Sequence, residues 1–72
     1  MEKKEALYQI VMIIDETNDS PPFKGRVKLL NTLNGLKDLI YDYKTTKGFY
    51  EYIIKEANAL VEKTRENLKA GL

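Results

Sequence analysis

Residues 29–43 read LLNTLNGLKDLIYDY, and whether they form one helix or two decides what the rest of the chain can be. Leu29, Leu33, Leu36, Ile40 and Tyr43 recur at spacings of 4, 3, 4 and 3. At 100° per residue that pattern keeps the apolar side chains on one face. Against continuity stands the run from Asn31 to Gly35. Asn, Thr and Gly are poor helix formers, and Asn34-Gly35 could close one helix and turn into another. The apolar seam nevertheless stays in phase across Gly35, which a turn would break. The spacing predicts one continuous helix, with Gly35 either a soft spot or a point of close packing.

The segments on either side read in the same way. Upstream, Ala6, Leu7, Ile10, Ile13 and Ile14 share one broad face of a first helix predicted over 2–17. The stretch DETNDSPPF, residues 15–23, ends it, because Asn, Asp and Ser compete for backbone hydrogen bonds and proline cannot continue a helix. Ser20 reads as an N-cap with Pro21 and Pro22 in the first turn, giving a second helix over 21–44. Downstream, Thr45 or Thr46 reads as the cap of a third helix over 47–70, stopped by Gly71. Its seam is Tyr50, Ile54, Ala57, Val61, Thr64 and Leu68, widened by Ile53 and Leu60. No strand-type alternation occurs. The expected fold is all-α: a long antiparallel hairpin of the second and third helices, with the first packed against it or completing a bundle with a second copy.

Composition narrows the function. The chain has 72 residues with no Cys and no His, so it makes one domain without disulfides or the usual zinc ligands. A core of this size rarely supplies more than about 3–5 kcal/mol, which makes self-association as a homodimer an expected route to stability. Without His or Cys the common general bases and nucleophiles are missing, and the four glycines are isolated, so no phosphate-binding loop exists. Asp15, Glu16 and Asp19 could gather around a hard cation, but the stretch lacks the remaining ligands, the central Gly and the closing Glu of a calcium loop. Lys3 and Lys4 open the chain as a signal peptide might, yet the longest apolar run, Ile10 to Ile14, is too short for a secretory or membrane segment. The cytoplasm is the expected location. No enzyme activity, cofactor, metal, membrane or small-molecule substrate is expected.

Two binding surfaces remain. Tyr43, Tyr50 and Phe49 are expected at the closed end of the hairpin, with Tyr43 and Tyr50 on the seams. Val27, Leu30 and Tyr41 form a second flank on the middle helix, expected to receive the first helix. Tyr8 and Met12, an i, i+4 pair, and Tyr52 point away from the expected core. Tyr and Met are favoured anchors at protein interfaces. Tyr8, Met12, Tyr41 and Tyr52 are therefore the candidate partner-binding residues. The expected function is a small non-catalytic protein–protein interaction module: an adaptor, subunit, escort or inhibitor.

The alternative is a nucleic-acid-binding protein. Net charge is only +1, but residues 21–48 carry six basic residues against Asp38 and Asp42, while residues 1–20 carry two against five acids. Lys24, Arg26, Lys28, Lys44 and Lys47 are the candidate contacts. A break at Gly35 would make the segment resemble a helix-turn-helix in outline, with Lys37, Tyr41 and Lys44 on the second piece.

Overall fold

The computed structural model describes residues 1–42 and 48–69, apart from the side chains of Leu68 and Lys69. Three helices follow one another: α1 (Lys3–Asp19), α2 (Arg26–Asp42) and α3 (Phe49–Lys69). They run up, down and up as a bundle, with α1 packing most extensively on α2. Among the described residues there is no strand. Tyr43, Lys44, Thr45, Thr46, Lys47 and Gly71, to which the sequence assigned a seam position, phosphate contacts and caps, lie outside the described residues.

α2 is continuous through Gly35, as the unbroken seam requires. Leu29, Leu33 and Ile40 are buried and Leu36 half-buried. Gly35 is not a close-packing point: it is exposed, and a Cβ built on it would meet nothing within 4 Å. Opposite this seam α1 contributes Ala6 and Ile10, and α3 contributes Ile53, Ile54 and Ala57. Leu7, Ile13, Ile14, Phe49, Tyr50 and Val61 pack around that core. At the foot of the bundle Phe49 and Tyr50 meet edge to face, with ring centroids 6.2 Å apart and planes at 62°.

The start of α2 corrects the sequence reading. Ser20 does not cap α2. It closes α1, its hydroxyl donating to the Thr17 carbonyl at 2.5 Å. Pro21 and Pro22 are exposed and precede the helix rather than beginning it. Phe23 packs against the core and its carbonyl accepts from Arg26 N–H at 3.2 Å, so the chain turns before it coils. Gly25, at φ +90°, then serves as the junction, and its carbonyl takes the first helical bond from Leu29 N–H at 2.9 Å. A left-handed φ is nearly free for glycine and costly for other residues. The same device opens α3: Gly48 has φ +96° and its carbonyl accepts from Tyr52 N–H at 3.1 Å. Both helices thus begin after a Lys-Gly pair, Lys24-Gly25 and Lys47-Gly48.

The second flank of α2 is also corrected. Val27 and Tyr41 are 69% and 66% exposed, and only Leu30 is half-buried. Three helices around one axis share a single core, so the Leu29–Ile40 seam serves both neighbours and α1 needs no second flank. Thr17, a buried polar residue at the head of α1, was not singled out by its sequence. Its hydroxyl donates to the Ile13 carbonyl at 2.9 Å, so it is buried without an orphaned donor.

Candidate interaction surface

The bundle's Cα atoms span 41 × 19 × 15 Å. A body so thin leaves the outer half of every helix in solvent, and the three outer grooves differ in chemistry.

Between α1 and α3 the lining is largely acidic. Glu16, Glu62 and Glu66 border one groove with Arg65 as its only cation among the described lining residues. Below it the Met1 ammonium pairs with the Glu51 carboxylate. That contact raises the amine above its ordinary 8.0, and holds the Glu51 carboxyl below its ordinary 4.5; the hydrogen bond between the two groups is the leading cause in both cases. Asp15, Glu16 and Asp19 do not gather: the described residues hold no group of three or more side chains arranged to bind a metal ion.

Between α2 and α3, at the head, an open groove of about 400 Å³ has Leu29 and Leu60 on its walls and Lys24, Lys28 and Lys63 at its rim. Among the described residues no carboxylate lines it. Lys63 joins Lys24 and Lys28 only through the fold, because α3 runs back past the start of α2. Arg26 is turned elsewhere: it is half-buried, and its guanidinium donates to the Ser20 carbonyl at 2.9 Å. With α2 unbroken, the helix-turn-helix geometry does not form.

The third face, between α1 and α2 and away from α3, is apolar and aromatic. Among the described residues the exposed large hydrophobics are Met1, Tyr8, Val11, Met12, Val27, Leu39, Tyr41 and Tyr52. Their placement follows from the helix period. On α1, Ile13, Glu16 and Thr17 border the grooves shared with α3, so Leu7, Val11 and Ile14 turn towards α2. On α2, Lys28 and Thr32 border the groove shared with α3, so Leu30 turns towards α1 while Val27 and Tyr41 point outward on the side away from α3. Lys3 of α1 lies over the Tyr41 ring, with its ammonium 5.2 Å from the ring centroid, so the start of α1 stands beside the end of α2. Five of the eight exposed hydrophobics, Tyr8, Val11, Met12, Val27 and Tyr41, therefore belong to α1 and the adjoining side of α2.

Met12, one turn before Glu16, turns towards the groove shared with α3, and of the four partner-binding candidates the fold sets Tyr8 and Tyr41 towards this face. It separates Tyr52, which is 58% exposed on α3, three turns before Lys63 and on the side facing α2's Leu39. Val11 and Val27, 41% and 69% exposed, belong to the surface, but the sequence did not single out Val11 and placed Val27 on a flank expected to be covered by the first helix. Each looks like a core residue until the orientation of its helix is known.

No family model, curated protein or solved structure matches the chain. No helix among the described residues is long and apolar enough to cross a membrane. The functional reading therefore rests on this surface.

Proposed function

We propose that the chain is a small non-catalytic interaction module, and that its contact surface is the outward face of α1 together with the Tyr41 side of α2. One observation carries the reading: Tyr8, Val11 and Met12 on the outward side of α1 and Val27 and Tyr41 on the adjoining side of α2 are all exposed, with Tyr8 and Tyr41 each at 66%. Isolated exposed apolar residues need no explanation, but a gathered set of aromatic, Met and Val side chains marks an interface.

The test is association of the purified chain, with itself or with a bound protein. Tyr8→Ala combined with Met12→Ala should abolish it while helicity by circular dichroism is kept. Retained binding by that variant would take the function away from this face. Binding to nucleic acid that falls steeply with salt, and is lost with Lys24→Glu and Lys28→Glu, would transfer it to the groove between α2 and α3.

A further inference from the structure

α1 carries a second stripe on its outward side. Lys4, Tyr8, Val11 and Asp15 are spaced 4, 3 and 4, and all four are exposed. At 100° per residue they fall within about 60° of one another, on the side turned away from α3. The stripe is cationic at its start, apolar in its middle and anionic at its end. Laid antiparallel against a copy of itself about its midpoint between Gln9 and Ile10, it places Lys4 opposite Asp15 of the copy, and Tyr8 opposite the copy's Val11. Both charges of the stripe then meet their opposites.

The adjoining side of α2 is uncharged at its ends and at its midpoint, with Asp38 between. Val27, Asn34 and Tyr41 are spaced 7 and 7, so a copy reversed about Asn34 sets Val27 against Tyr41. Both reversals can belong to one two-fold axis only if the two midpoints lie at the same height in the bundle. To within about a turn they do: Lys3 reaches over Tyr41, and α1 and α2 run antiparallel with equal rise. Counting inward from that contact reaches Gln9–Ile10 on α1 as it reaches Asn34–Gly35 on α2. One axis, lying in the face and perpendicular to the helices, satisfies both.

We infer that the occupant of the α1/α2 face is a second copy of this chain, packed face to face with α1 against α1 and α2 against α2, both antiparallel. The inference rests on the interaction reading above and names its partner. An isologous contact uses the same patch twice, so a self-complementary patch is what it requires. The face also brings what a dimer core needs: aromatic and aliphatic anchors in the middle, with charges at the rim.

The experiment is sedimentation equilibrium of the full chain up to roughly 0.5 mM, a range that detects even a weak interface. The wild type should be a dimer. Lys4→Asp and Asp15→Lys should each weaken it by at least about tenfold, since each sets two like-charge pairs face to face by symmetry. Each change also places on α1 the charge that its own end of the helix prefers, so the monomer fold is kept. The double swap, Lys4→Asp with Asp15→Lys, should return the affinity to within about threefold of the wild type. The chain has no Cys, so Asn34→Cys gives a clean second reading: a short bismaleimide should couple it to its own copy, whereas Lys55→Cys on the far side should not couple. A monomer across the whole range, or a dimer that the double swap fails to restore, overturns the inference. A monomer that still binds another protein through Tyr8 and Met12 would leave the interaction reading standing and sink only the second copy.

Discussion

α1 carries two stripes with the same rhythm. Ala6, Ile10, Ile13 and Thr17 are spaced 4, 3 and 4, and so are Lys4, Tyr8, Val11 and Asp15, offset by two residues and so by about 200° around the helix. The first stripe is core: Ala6 and Ile10 are fully buried, Thr17 is buried and Ile13 half-buried. The second is surface. Spacing alone does not separate them, because both describe a helix with something to pack against. The ends do. The inner stripe finishes on Thr17, a polar group that satisfies itself within the helix through the Ile13 carbonyl. The outer stripe begins and ends on unlike charges, which cannot be buried singly but can meet partners at a rim. One helix thus holds a finished interface beside an unfinished one.

Breaking the inner stripe should have the largest effect. Ile10 and Leu33 are both fully buried, and truncation of such a side chain to Ala costs about 2–5 kcal/mol. That is comparable with the whole core energy of about 3–5 kcal/mol expected at this size. Ile10→Ala should therefore leave the chain largely unfolded, read as loss of the helical signal and of a cooperative urea transition. Tyr8→Ala, two residues earlier on the same helix, should leave the midpoint of the monomer's transition within about 0.5 kcal/mol of the wild type. If the two variants destabilise equally, the division of α1 into an inner and an outer face is wrong.

A sharper comparison is between the two glycines of the α2 region. Gly25 holds φ +90° at the point where α2 starts, so Gly25→Ala should destabilise by about 1–2 kcal/mol. Gly35 lies mid-helix on the exposed side with open space around its Cα hydrogens. Gly35→Ala should stabilise by about 0.5–1 kcal/mol, since it removes backbone freedom from the unfolded chain without meeting a neighbour. Opposite signs for one substitution at two positions ten residues apart, read by chemical denaturation, would confirm where α2 begins and that it does not break.

The difference between those glycines also shows what could be read in advance. The helices and their seams were legible because Leu29, Leu33, Leu36 and Ile40 report a period that only a helix explains, and Gly35 could not outvote them. The entry to α2 was not. Ser20 followed by two prolines is a good local start signal, but Phe23 had to reach the core and Gly25 could take a left-handed turn that no neighbouring residue could. Tyr8, Met12 and Tyr52 were legible as outward residues from their angles. The exposure of Val27 and Tyr41 was not, because it depends on how many faces the middle helix spends on its neighbours. Lys63 could join the basic groove only once α3 was folded back past Lys24 and Lys28.

The smallest expected effect concerns how the foot of α1 is held to α3 while its outward stripe stays free. The Met1 ammonium pairs with Glu51, and both groups are solvent-accessible, so the pair is screened and its effect is a matter of pH dependence more than of magnitude. The amine is raised above its ordinary 8.0, so its contribution is complete below that value and is lost as pH rises through the higher folded value. The Glu51 carboxyl is lowered from 4.5, so its contribution is complete above that value and is lost as pH falls through the lower folded one. The stability gap between the wild type and Glu51→Gln should thus be flat from about pH 5 to 8 and close on both sides. Acetylating the amine should produce the same gap, and combining both changes should add nothing, because each removes the same interaction. A gap that persists at pH 3 would mean that Glu51 acts through something other than its charge. Neither change should alter self-association, since Glu51 stands on α3, across the bundle from the stripe that Lys4 and Asp15 close.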